Sequence, residues 1–535
     1  MVNLHILYNG NIITMDEQQP RVTALALLNG RIIAAGSDSD VLALVGVGTT
    51  RENLNGKTVL PGLVDAHVHW EWTARAIHTV NVFEVPSRQI AVERVKAFAE
   101  RLPAGEWITG HGWSQEYWAD LQFPTAAELD VVTPHHPVYL RAKSGHAAWV
   151  NTVALRMCGI DNDTPDPEGG HITRDEEGKA TGLLLETAMN LVNDFIPRGN
   201  PEQLAQQMAV AQERFHACGL VGFHDFDNPS SMVATQILRE RGQLALRVVK
   251  QINKMWLMHA LELGIRSGFG DDWIRFGALK LFADGALGPR TALMIDPYDG
   301  EPDNYGIRVL ENEEITELVS QASAAGLHST VHAIGDRAVH DVLDVYDIVR
   351  REEAERGEAP HTRRHRIEHV QLIHPDDAHR LAQLDIIASM QPLHATSDYE
   401  MADRYWGARG KWSYNARLQI DQGVKYVFGS DSPIEPFEPF KSIYAAVTRR
   451  RPDGSPGVNG WYPELRLTVD EALRGYTTGP AYAAGTEDHT GKLAAGYLAD
   501  LIVLDRDPYH IPPDDLLNIN VQGTMVDGLW RFGGV

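Results

Sequence analysis

Two cysteines, Cys158 and Cys218, are all that the 535-residue chain contains. So few exclude a disulfide framework and leave isolated buried thiols as the reading. No apolar run reaches the roughly 18 residues that a membrane span needs. Met1 to Asp16 lacks a basic stretch followed by an apolar one, so it does not read as a secretory signal. Positive charge is scarce: 48 Lys and Arg stand against 72 Asp and Glu, a formal net charge of −24. Such a surface repels phosphate backbones and excludes non-specific nucleic-acid binding. Internal repeats, low-complexity tracts and heptads are also absent, which excludes solenoids and coiled coils. The expectation is a soluble, cytoplasmic protein whose partner is a small-molecule substrate, with neither nucleic acid nor membrane, and with a homodimer as its assembly.

What is present is ordinary globular material, 43% hydrophobic and 22% charged. The length suggests about three domains, although one closed α/β barrel with attachments can absorb most of it. Both ends read as β-structure. Asn29-Gly30 separates Ala24–Leu28 from Arg31–Ala35, and Asp527-Gly528 separates Val521–Val526 from Leu529–Phe532, each a two-residue hairpin signal. Asn9-Gly10 is a further candidate turn, and Asp500–Leu504 is strand-like. Because termini often lie close together, residues 1–60 and 481–535 are expected to form one small β-sandwich, split by residues 61–480.

Between them, short apolar runs alternate with helical stretches such as Pro201–Cys218 and Glu313–Ala325, the texture of parallel βα units. Eight segments can serve as barrel strands: Gly62–His69, Val221–Phe226, Leu246–Lys250, Ile274–Asp284, His328–His332, Arg366–His369, Ile386–Gln391 and Val424–Asp431. The fold class is therefore α/β, a (β/α)8 TIM barrel with a terminal β-sandwich. Roughly 150 residues separate the first two strands, far more than one crossover helix needs. Residues 71–200 are thus an inserted subdomain.

Chemistry concentrates at strand ends. In Asp65-Ala66-His67-Val68-His69, alternate strand residues share a face, so His67 and His69 project into one space and suit a divalent metal such as zinc. Lys280 shares its parity with Phe276 and Ala278, where an unpartnered lysine would be costly. His332, His369 and Asp431 close three further strands. Six titratable groups at the ends of five strands match the face from which such barrels draw their catalytic groups.

At these residues the sequence resembles the amidohydrolase superfamily. The motifs are Pro61-Gly62-Leu63-Val64-Asp65-Ala66-His67-Val68-His69, Lys280-Leu281-Phe282-Ala283-Asp284-Gly285-Ala286-Leu287, His332-Ala333-Ile334-Gly335-Asp336, Glu368-His369 and Gly429-Ser430-Asp431. More narrowly they resemble the amidohydrolase-3 branch, the YtcJ-like proteins that include N-substituted formamide deformylase. The likeness extends to Gly491-Lys492-Leu493, Gly496 and Ala499-Asp500-Leu501 near the C-terminal end. It implies two divalent metal ions, zinc first, with manganese or iron as alternatives. His67, His69 and Asp431 would hold one, His332 and His369 the other, and Lys280, carboxylated on its ε-nitrogen, would bridge them. A metal-bridging hydroxide would then hydrolyse an amide-like C–N bond, other than a peptide bond, of a small N-substituted or aromatic substrate. Asp431 would shuttle the proton. The alternative for Lys280 is an uncarboxylated amine paired with Asp284.

Substrate contacts are sought in the insertion and the barrel loops. Trp113 sits between Gly112 and Ser114 and reads as a loop residue on the pocket wall, whereas Trp118 and Trp149 read as core of the inserted subdomain. The resemblance makes His146 a substrate contact. His224 closes the second strand, and Arg290 follows Lys280 in a loop where the family often has Ser in place of Pro289. Two other functions compete. A mononuclear deaminase of the superfamily usually carries His-x-x-Glu after the fifth strand, but positions 335 and 336 here are Gly and Asp. A catalytically silent binding protein on the barrel would have to bury six ligand-type residues without metal.

Overall fold

The computed structural model describes residues 4–77, 79–197 and 199–535. Its centre is an eight-stranded, all-parallel sheet of Leu63–Val68, Leu220–Asp225, Arg247–Asn253, Ile274–Phe282, His328–Ala333, Arg366–His369, Ile387–Met390 and Tyr426–Phe428, in that order. All eight coincide with the expected segments to within a few residues. These strands are largely buried, as strands covered on both faces must be, and many of their apolar side chains belong to the largest hydrophobic cluster of the molecule, while Ala66, Ile387 and Val427 form a smaller one.

Closure between the eighth and first strands is not a regular ladder. It consists of a parallel bridge between Val68 and Ser432 and two backbone hydrogen bonds, Asp431 N–H to His67 O at 2.8 Å and His69 N–H to Ser432 O at 3.0 Å. Asp65 reinforces it, accepting the backbone N–H groups of His67 and Ser430, each at 3.0 Å. The eighth strand stops at Phe428, short of the expected Asp431, because Gly429 passes directly beneath the first strand. A Cβ at Gly429 would lie 2.6 Å from the backbone nitrogen of His67, so only glycine fits.

Both ends of the chain build the sandwich. One sheet orders Arg31–Gly36, Ala24–Leu28, His5–Tyr8 and Thr50–Asn53; the other orders Leu529–Gly533, Val521–Val526, Leu501–Leu504, Thr58–Pro61, Asn11–Ile13 and Arg21–Val22. Leu501 pairs with Pro61 and Leu504 with Thr58, so chain segments from the two ends share one ladder. Leu7, Leu25 and Ile32 of the first sheet pack on Val59, Leu501 and Met525 of the second. Asn29 and Gly30 both take positive φ, 51° and 72°, as the hairpin turn requires. Asn9-Gly10 does something different: it carries the chain from one sheet to the other. Cys158 and Cys218 are free thiols, half-buried rather than buried.

The insertion has its own six-stranded sheet, ordered Gly170–Arg174, Ala180–Glu186, Ala147–Val150, Val138–Ala142, Ile108–Trp113 and Val80–Asn81. Among the described residues, no helix is long and apolar enough to cross a membrane.

Candidate metal centre

His67 and His69 leave the end of the first barrel strand, and Asp431 arrives from the loop that closes the barrel. Nε2 of His67 and Nε2 of His69 are each 3.3 Å from Asp431 Oδ1. One ligand-type atom from each of these three residues lies within 4.8 Å of the others, a spacing that a single cation can span. Asp431 takes φ = 58°, a left-handed conformation that aspartate adopts at a cost and that clusters at functional sites.

Each of the four histidines is oriented by an acceptor on one ring nitrogen. Nδ1 of His67 meets Glu368 Oε2 at 2.7 Å, and Nδ1 of His69 lies 3.3 Å from Asp227 Oδ1. Nε2 of His332 meets the Gly285 carbonyl at 2.9 Å, and Nδ1 of His369 meets Gln391 Oε1 at 2.8 Å. An acceptor on one nitrogen puts the proton there and leaves the lone pair on the other, the arrangement that ligating imidazoles require. The four rings converge: His332 and His369 have centroids 4.6 Å apart, His67 and His369 5.3 Å, and His67 and His69 5.6 Å.

The electrostatics of these groups suit a cation. Burial works against charge on His69, yet Asp227 and Asp431 raise its pKa to about 9. Burial alone would push the Asp431 carboxyl up, but His67, His69 and His369 hold it well below the usual carboxylate range. Beside Lys280, a proton on His69 helps to neutralise these acids; a divalent ion fits the same need.

His369 explains how the sixth strand places two groups at one centre. Neighbouring strand residues point to opposite faces, yet both Glu368 and His369 turn toward the metal-side histidines. His369 has φ = 77° and Val370 φ = 43°, and that left-handed turn re-aims the His369 ring. Lys280 is buried, and among the described residues no carboxylate lies within ion-pair distance of Nζ. The nitrogen stands instead over the rings of Phe226 and Phe282, at 4.9 and 4.5 Å. Burial lowers its pKa to about 8 against the pull of Glu368 and Asp431. The alternative pairing with Asp284 is not formed. Asp284 accepts the backbone N–H groups of Leu293, Ile334 and Gly335 and fixes the loops around His332.

The six groups open into a cavity of about 860 Å³ between the barrel face and the insertion. The four expected substrate contacts fall differently. His146 lines the cavity, with Nδ1 2.8 Å from Glu186 Oε2. Trp113 borders it but is fully buried, because it ends a strand rather than sitting in a loop. Its indole donates to the Leu140 carbonyl at 2.7 Å and stacks on Trp118. His224 does not reach the cavity; its ring lies inside the barrel, 3.0 Å from the Arg366 guanidinium, one residue short of the strand end. Arg290 also turns away, its Nε 2.9 Å from Glu301 and its Nη1 3.2 Å from the Tyr405 hydroxyl. The sequence reading missed Glu368, Asp227 and Gln391, which orient the histidines. Only Glu368 carried a signal, as an acid on the barrel-facing parity of a four-residue strand.

The chain has relatives among known proteins. YtcJ of Bacillus subtilis (strain 168) is 32% identical over 98% of this chain and 98% of its own. The N-substituted formamide deformylase of Arthrobacter pascens is 30% identical, again over 98% of both chains. The crystal structure of an uncharacterized metal-dependent hydrolase from Pyrococcus furiosus superposes with a TM-score of 0.75 at 31% identity, covering 95% of this chain and all of that one. The model of the amidohydrolase family matches residues 52–530. With that match spanning the barrel, the insertion and the C-terminal part of the sandwich, the chain belongs to the amidohydrolase family.

Proposed function

We propose that the protein hydrolyses an amide-like C–N bond, other than a peptide bond, in a small N-substituted or aromatic substrate, using two divalent metal ions. The observation that carries this reading is the set of four imidazoles, each with one nitrogen fixed by an acceptor, whose rings converge with neighbouring centroids 4.6–5.6 Å apart. His67, His69 and Asp431 would hold one ion and His332 and His369 the second, with Lys280 carboxylated as the bridge. Ions held there supply Lewis-acid polarisation of a carbonyl and an acidified water.

The chain's own groups do the rest. Asp431 is held ionised and accepts the proton released as the nucleophile attacks, then returns it to the departing amine. Lys280, with its pKa brought down to about 8 by burial, has an appreciable neutral fraction, the form that reacts with CO₂. His146, braced by Glu186, presents its ring to the cavity 5.9 Å from that of His332 and orients the substrate carbonyl. The insertion roofs the site and excludes bulk water. A single-metal hydrolase is the second reading, favoured by the compact group of His67, His69 and Asp431.

The test is a screen of zinc- and manganese-loaded protein against formamides, N-acyl amino acids, carbamates, esters and lactones, with metal content measured in parallel. Turnover of a C–N substrate at about two metals per chain is expected, and Asp431→Asn should lose about 10²–10⁴-fold in kcat. Turnover confined to esters or lactones would sink the C–N reading, and full activity at one metal would select the second.

A further inference from the structure

Among the described residues, two cations on the cavity wall lack a carboxylate within ion-pair distance, Lys280 of the metal centre and Arg141. Arg75 is matched by Glu71 at 2.9 Å, and Lys143 by Glu84 and Glu435, each at 2.8 Å. Lys280 belongs to the metal centre. Arg141, on the insertion strand Val138–Ala142, has no carboxylate within ion-pair distance among the described residues, although it lines the same cavity. The nearby acid Glu186 is already engaged by His146 and by the Thr291 hydroxyl, at 2.8 and 2.7 Å.

Arg141 is nonetheless held in place. Its Nε donates to the Gly145 carbonyl at 3.0 Å, and its guanidinium lies 4.0 Å from the centre of the Trp72 ring. Anchored at Nε and stacked on an indole, the group keeps its terminal nitrogens as an unfilled planar fork, the shape that binds a carboxylate with two parallel hydrogen bonds. Trp72 in turn stands 5.6 Å, ring to ring, from His69, so the fork is one aromatic ring away from the metal-side histidines. On the neighbouring strand, His111 is the register partner of Arg141 and also lines the cavity. Its Nδ1 is buried without a hydrogen-bond partner. Burial and the charge of Arg141 lower its pKa to about 4, so it stays neutral beside the guanidinium.

We propose that Arg141, assisted by His111, binds a carboxylate of the substrate and makes the enzyme selective for carboxylate-bearing amides such as N-acyl amino acids over neutral amides. The proposal rests on the C–N hydrolase reading and narrows its substrate class. Two features favour a carboxylate over a phosphoryl group. The fork is a single guanidinium, and the surrounding wall carries Glu71, Asp227 and Glu435, which oppose a dianion.

The experiment compares N-formylphenylalanine with N-(2-phenylethyl)formamide, which differs only in lacking the carboxylate, in the wild type, R141M and R141K. Binding of phenylacetate and of phenylphosphonate is measured by calorimetry on the same proteins, with metal content and melting as fold controls. The wild type should favour the acid in kcat/KM by at least about 10²-fold. That ratio should collapse to within about threefold in R141M, and in R141K, which keeps the charge but loses the fork, it should fall by about tenfold. Phenylacetate binding should disappear in R141M. Equal turnover of both formamides by the wild type, an unchanged acid preference in a folded R141M, or tighter binding of phenylphosphonate than of phenylacetate would each overturn the proposal. If R141M does not fold, an unchanged ratio in R141K does so. If neither formamide nor any other amide is hydrolysed while phenylacetate still binds through Arg141, the C–N reading fails and the carboxylate site stands.

Discussion

Glu368 Oε2 lies 2.7 Å from Nδ1 of His67, with both side chains buried. The same carboxylate accepts from the Ser389 hydroxyl at 2.6 Å, from Arg366 Nε at 2.9 Å and from Thr330. Burial opposes its charge, but Arg366 and His67 hold its pKa well below the usual range. An ionised acceptor raises the basicity of the opposite nitrogen of His67. Glu368→Gln keeps the shape and removes the charge, and metal affinity at His67 is expected to fall about 10–100-fold. Competition with a chelator measures it; an unaltered dissociation constant would show that Glu368 serves only the barrel interior.

Lys280 decides how many ions the centre holds. If it bridges as a carbamate, Lys280→Ala removes both bridging oxygens and leaves His332 and His369 as a two-ligand site. Metal content should fall from about two per chain toward one or none, and added formate or acetate should restore part of it. Electron density that ends at Nζ in the metal-replete wild type, with one ion nearby, would replace the binuclear mechanism with a single-metal one.

Trp113 packs face to face with Trp118 at 5.9 Å and edge-on to Trp149 at 6.3 Å, at the centre of the insertion's core. Trp113→Ala should therefore cost about 3–5 kcal/mol of insertion stability. Limited proteolysis should then cut first within residues 71–200, with metal content nearly intact. A variant of undiminished stability but altered substrate ranking would return Trp113 to the pocket wall as a selectivity residue.

His216 supplies a pH dependence remote from the metal. It is buried at the end of the helix Pro201–Ala217, with Nε2 unpartnered. Burial and then the charge of Arg531 lower its pKa to about 4, against 6.5 for a free imidazole. Between those values the unfolded chain binds a proton that the folded chain refuses. Stability is therefore full above about pH 6.5 and declines as pH falls toward 4, by up to about 3 kcal/mol. His216→Gln should flatten that part of the profile by one proton; urea midpoints between pH 7.5 and 4.5 provide the measurement. An unchanged slope would place the acid sensitivity elsewhere.

The barrel was legible because its signals are local. Eight apolar runs with turn residues between them mark eight strands, and alternation along Asp65–His69 already puts the two histidines on one side. What escaped is set by geometry that no short pattern encodes. Nothing in Glu368-His369-Val370 announces a left-handed turn, so simple alternation would have sent one of the two groups away from the centre. His224 and Arg290 sit at plausible sequence positions, but one residue of depth in a strand and one ion pair with Glu301 remove them from the cavity. Trp113 looked loop-like because of its glycine neighbour, although Gly110 and Gly112 both lie within a strand. Arg141 was overlooked because the facing of an inserted sheet depends on how it docks on the barrel, a tertiary fact.

The shared ladder of the sandwich has a consequence for synthesis. Thr58–Pro61 needs Leu501–Leu504 as its neighbour, and the ribosome must add the whole barrel and insertion before that neighbour exists. At about 5–20 residues per second, the earlier strand waits roughly 20–90 s with an open edge. During that interval the half-built sheet presents Val59 and Leu60, both fully buried in the finished fold, to any chaperone or neighbouring nascent chain that pairs with it first.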